Sequence, residues 1–117
     1  MNHANDNAGG QSDWAGFFNN FVTDEVRART IQSMAPGSPG QAICADMDVA
    51  PGDLKIMKNR YSALIPGSSS LERVLRSMGI DTLLIAGTKT NVCCETTARD
   101  AMMMDFDVVM VSDATAA

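Results

Sequence analysis

Apolar positions along the chain recur with two different periods. Trp14, Phe17, Phe18, Phe21 and Val22 fall at helical spacing, with Ser12 or Asp13 placed to cap the start. This predicts a helix whose aromatic stripe packs on a core or a subunit partner, with a lid over a substrate as the sharper alternative. Residues 1–12, rich in Asn, Gly and Ala, read as a loop or a frayed end. "PGSPG" (36–40) and "VAPGD" (49–53) are turns, and "QAICADMDV" between them leaves room for a short extended piece. "DLKIMK" (53–58) alternates as a strand does. Leu71, Val74, Leu75 and Met78 occupy i, i+3, i+4 and i+7 of an amphipathic helix, with Ser69 or Ser70 at its start and Gly79 at its stop. "TLLIA" (82–86) and "DVVMVS" (107–112) hold continuous apolar runs, the mark of parallel strands buried on both faces. A helix from about Cys93 to Met104 joins them, with Cys94, Ala98, Ala101 and Met102 on one side. Strand–helix–strand–helix–strand with short joints is a right-handed βαβαβ unit, and the fold class is α/β.

Composition narrows the function classes. The 117 residues read as one domain, 1–117, with 45% hydrophobic and 20% charged residues, a globular balance. The formal net charge of −5 and nine scattered basic residues exclude a nucleic-acid partner, because phosphate binding needs clustered Lys and Arg. No run approaches the roughly 20 apolar residues that span a membrane. The polar N-terminus has no apolar signal region, and three cysteines, two of them adjacent, form no disulfide framework. Reduced thiols in the cytoplasm are the expectation. No set of His and Cys has metal-ligand spacing, and neither a metal nor a cofactor is indicated.

Sites in open parallel sheets form beyond the carboxyl ends of the strands. Lys58 ends the strand 53–58, and Cys93 follows the strand 82–86 at the mouth of the next helix. If those strands are neighbours, the two side chains come within reach of each other. A helix start favours an anion through its N–H groups and dipole, and an ammonium beside it adds to that. The same N–H groups can hold an oxyanion as a carbonyl is attacked. Cys94, about 100° further round the helix, reads as core, and Cys44 as structural. His3 reads as a surface residue and Met102, Met103 and Met104 as helix packing.

"GTKTNVCCETTARDA", with "KNRYSAL" and "DVVMVSDATAA", resembles the isochorismatase-like cysteine hydrolases. The likeness is strongest to the branch of ureidoacrylate amidohydrolase and N-carbamoylsarcosine amidase, and it runs from about residue 36 to the end. It implies a Rossmann-like three-layer αβα fold with a mainly parallel sheet, and a Cys–Lys–Asp triad. On this sequence the cysteine of T-N-x-C is Cys93, the nucleophile. The lysine of K-x-R-Y-S is Lys58, which assists proton transfer. The backbone N–H groups of Cys93 and Lys89 become the oxyanion hole, with a cis peptide at Thr88–Lys89, and Tyr61 lines the substrate pocket. The implied reaction is hydrolysis of a small-molecule amide or ureido C–N bond through a thioester. Such proteins commonly form homo-oligomers.

The triad aspartate of the family ends a first strand, and neither Asp6 nor Asp13 follows an apolar run that would match it. The expectation is a domain incomplete at both ends, the middle of a longer hydrolase, impaired and poorly stable alone. Two other functions remain open at this point. One is cleavage of an isochorismate-type vinyl ether, against which Cys93 weighs. The other is a non-catalytic truncated relative, for which the missing aspartate weighs.

Overall fold

The structure, a computed structural model, describes residues 2–3 and 14–117. It divides into two compact units, Met1–Asn59 and Arg60–Ala117.

In the first unit, β1 (Asn2–His3) pairs in parallel with β2 (Met57–Lys58), Asn2 opposite Met57 and His3 opposite Lys58. Those two residues are therefore strand; the rest of the predicted N-terminal loop, and the caps Ser12 and Asp13, lie outside the described residues, as does the side chain of His3. The helix α1 (Ala15–Asn20) forms where the aromatic spacing places it. Phe17 stacks on Trp14 at 4.8 Å and meets Phe18 edge-on at 5.3 Å. Phe18 is buried but Phe21 is exposed, so the stripe is only partly a packing face.

A second helix, α2 (Asp24–Ser33), has no counterpart in the hydrophobic pattern, because it buries no residue. Local chemistry builds it instead. Thr23 caps it by accepting from Val26 N–H at 3.3 Å, and Asp24 and Glu25 in the first turn suit the helix dipole.

The predicted strand 53–58 shrinks to its last two residues. Asp53 closes the preceding turn: its N–H donates to the Ala50 carbonyl at 3.0 Å, and its Oδ2 accepts from Ala50 N–H at 2.9 Å. No strand forms in 41–49 either, where turn bonds run from Gln41 and Ala42 N–H to the Ser38 carbonyl and from Met47 N–H to the Cys44 carbonyl. Cys44 is exposed, which corrects its structural reading: a turn at the surface gives it nothing to pack on.

In the second unit, β3 (Thr82–Thr88) and β4 (Asp107–Ala116) pair in parallel across the crossover helix α4 (Glu95–Met103), with α3 (Leu71–Ser77) before them. The chain is α/β, as its pattern predicts. Leu64, Leu75, Ala101 and Phe106 form the core, and Leu71, Ile80, Leu83, Met104 and Val108 pack against it. Arg76 lies over the Phe106 ring at 4.0 Å and donates to the Met104 carbonyl. Two tight positions stop the helices. Gly79 follows α3 with φ 68°, and Asp105 takes the same left-handed region after α4 with φ 60°.

The apolar runs are not buried on both faces. Leu83 and Val108 face the helices, whereas their neighbours Leu84 and Val109, opposite each other in register, are exposed, Leu84 by 73%. Both helices contribute to one core on one face of a two-stranded sheet, so alternate residues of each run meet solvent. Met102 and Met103 are also exposed and only Met104 reaches the core, which corrects the packing reading of that run. Met78 is exposed as well. Among the described residues no helix is long and apolar enough to cross a membrane.

The asymmetry of the sheet predicts opposite outcomes for two truncations. Phe106→Ala should cost about 3–5 kcal/mol in urea unfolding of the chain, because the ring is buried against the core. Leu84→Ser should stay within about 0.5 kcal/mol. Comparable losses would place a buried contact on Leu84.

Candidate active site

The chemistry gathers at the end of β3. The strand runs Leu-Leu-Ile-Ala-Gly, and its pairing with β4 breaks register between Ile85, opposite Met110, and Gly87, opposite Thr115. Gly87 sits there with φ 110°, a conformation a side chain would resist, and a glycine inside a strand is the sequence mark of such an irregularity. The peptide Thr88–Lys89 is cis, as the resemblance implies.

A π-helical turn, Thr90–Cys94, follows at once and leads into α4. Its wide closure is visible in one acceptor: the Lys89 carbonyl receives Cys94 N–H at 3.1 Å, five residues on, and Val92 N–H at 3.3 Å. Single π turns of this kind occur often at functional sites. The turn departs from the predicted start of an α-helix at Cys93, which instead lies inside it. Cys93 is half-buried and Cys94 buried, with Cys94 Sγ 3.8 Å from the Ala86 carbonyl that it faces. Cys94 is thus core, as its phase predicts. Lys89 is exposed.

Tyr61, 37% exposed, belongs to the same unit as Cys93, in the loop before α3. Three serines hold that loop. Ser62 Oγ accepts from Leu64 N–H at 3.1 Å and Ile65 N–H at 3.3 Å. Ser68 Oγ donates to the Ser62 carbonyl at 2.6 Å, and Ser69 Oγ to the Ala63 carbonyl at 2.7 Å. Ser62 and Ser68 are buried, where an unmet hydroxyl would be costly, so the network fixes one loop shape. The predicted cap at Ser69 or Ser70 becomes part of it: Ser70 makes no side-chain cap bond, and Ser69 Oγ accepts from Leu71 N–H at 3.0 Å.

One hydroxyl joins loop and turn. Thr97 Oγ1 accepts from Ala63 N–H at 3.1 Å and donates to the Cys93 carbonyl at 2.6 Å. Sequence reasoning missed Thr97, Ser62 and Ser68, and of Ser69 it read only the place at the helix start. Thr97 stands four residues after Cys93, where a threonine can bond back to the i−4 carbonyl, but the second bond depends on tertiary placement.

Lys58 belongs to the first unit, where it is 8% exposed, and its strand partner is β1. Among the described residues β2 pairs with β1, and β3 with β4. The described residues contain no group of three or more His, Cys, Asp or Glu arranged to hold a metal ion.

Comparison with known proteins agrees with the motif. The Isochorismatase domain matches residues 3–117. Ureidoacrylate amidohydrolase RutB of Variovorax paradoxus (strain S110) is 40% identical over 82 residues, 70% of this chain and 32% of that protein. RutB of Agrobacterium fabrum is 38% identical over 84 residues, 72% of this chain and 36% of that one. Among solved structures, a cysteine hydrolase from Pseudomonas syringae pv. phaseolicola 1448A superposes on 99% of the chain with a TM-score of 0.81 and 29% identity, over 50% of its own length. N-carbamoylsarcosine amidase from Thermoplasma acidophilum covers 80% of the chain with a TM-score of 0.68 and 31% identity, over 53% of its own length. The chain thus spans about a third of these curated relatives and about half of these solved chains. With a domain match over residues 3–117 and an α/β unit shared with these structures, the chain belongs to the isochorismatase family.

Proposed function

We propose that the chain carries the nucleophile of a hydrolase that cleaves an amide or ureido C–N bond of a small molecule. The observation that carries this reading is the place of Cys93: a half-buried thiol in a π-helical turn directly beyond the end of a parallel strand. The names of the relatives, amidohydrolase and amidase, support the bond type.

In this reading Cys93 Sγ, as thiolate, adds to the substrate carbonyl carbon. The C–O double bond opens, and the charge on oxygen is met by the N–H groups of Cys93 and Lys89. Collapse of that intermediate breaks the C–N bond, and the departing nitrogen takes a proton supplied through Lys58. Water then adds to the thioester, releases the acid and returns the thiolate. The burial of Lys58 suits this role, because a lysine shares in proton transfer only when its surroundings tune it. Tyr61 lines the substrate's approach.

Activated esters separate nucleophile from proton donor, because p-nitrophenolate leaves without protonation. After p-nitrophenyl acetate treatment, peptide mass spectrometry should find the acetyl group on the Cys93 peptide, and Cys93→Ala should remove it. Label confined to Cys44 or Cys94 would overturn the assignment. Lys58→Met should slow release of amine from an N-carbamoyl amide by roughly 100-fold or more while changing ester acylation less than about tenfold. Equal effects on both would remove Lys58 from proton transfer.

A further inference from the structure

The bonds around Thr97 tie two segments that the reaction would use separately. We propose that Thr97 is a positioning residue, which holds the Cys93 peptide in the orientation needed for attack and couples it to the loop bearing Tyr61. The proposal rests on the reading of Cys93 as nucleophile.

The geometry gives Thr97 both jobs. Its hydroxyl carries one proton, given to the Cys93 carbonyl at 2.6 Å, and its lone pair receives the Ala63 N–H at 3.1 Å. A hydroxyl that accepts while it donates is polarised by the first bond and donates better, so the two bonds strengthen each other. The Cys93 carbonyl belongs to the peptide plane it shares with Cys94. Fixing that plane fixes the pitch of the π turn, and with it the direction of the Cys93 Cα–Cβ bond. On the other side, Ala63 is buried and stands two residues from Tyr61. Its own carbonyl is held by Ser69 and its neighbour Ser62 by Ser68, so the Ala63 N–H presents a rigid donor to Thr97. A shift of the Tyr61 loop, as on binding a substrate, would therefore be felt at the Cys93 peptide through one hydroxyl. Serine can make the same two bonds. Valine has the same shape and can make neither, leaving the Ala63 donor and the Cys93 acceptor facing a methyl group.

The test uses the full chain and iodoacetamide. Peptide mass spectrometry gives the alkylation rate of Cys93 relative to the exposed Cys44 in the same molecule. Thr97→Val should lower that ratio about fivefold, the worth of one lost hydrogen bond, and Thr97→Ser should keep it within about twofold. Packing alone would predict the reverse order, since valine preserves shape and serine does not. An unchanged ratio in Thr97→Val, or a fall in Thr97→Ser as large as in Thr97→Val, overturns the proposal. A second measurement needs no variant: alkylating Cys93 in the unaltered chain should change hydrogen exchange of the Ala63 amide at least about threefold, and no change there overturns the coupling. Acetyl transfer to Cys93 is read independently of both, so failure of the nucleophile assignment and failure of the Thr97 role are told apart.

Discussion

The π-helical turn after β3 is the constraint on which the site depends. A strand that ended in a plain turn would leave Cys93 on a mobile connection. Here the Lys89 carbonyl takes two N–H groups from the turn, Thr97 holds the Cys93 carbonyl, and Cys94 anchors the opposite side in the core. The thiol is left half-buried on a backbone fixed from three directions. In the proposed reaction, preorganisation of this kind would let main-chain N–H groups meet a developing oxyanion without first rearranging.

The loop before α3 extends the same logic with side chains rather than secondary structure. Residues 60–70 have no helix or strand, yet Ser62, Ser68, Ser69 and Thr97 satisfy their backbone groups one after another. Hydroxyls suit this work because each can donate and accept at once. The aliphatic core, by contrast, sets only where the elements lie. Leu64 links the two systems, as it is a core residue whose N–H is held by Ser62.

What could be read from the sequence divides along the same line. The β3–α4–β4 unit was legible because two apolar runs, the first ended by Gly87, and a residue phase through Cys94 and Ala101 depend only on local pattern. The T-N-x-C block gave the family. Exposure of Leu84 and Met102 was not legible, because an apolar run says what a strand prefers and not what covers it. The strand at 53–58 failed for a related reason: alternation in "DLKIMK" is a weak signal, and Asp53 satisfied its turn instead of a ladder. Helix α2 rests on a cap and charges, with no buried face to give it a period. Thr97, Ser62 and Ser68 were invisible because polar side chains declare a role only when their partners are placed.

The most direct test of Cys93 as nucleophile is a crystal structure of the chain treated with an aldehyde in place of the scissile amide. The account predicts electron density joining the aldehyde carbon to Cys93 Sγ as a hemithioacetal, with its oxygen toward the N–H groups of Cys93 and Lys89. A bond to Cys44 or Cys94, or an oxygen turned to solvent, would contradict it.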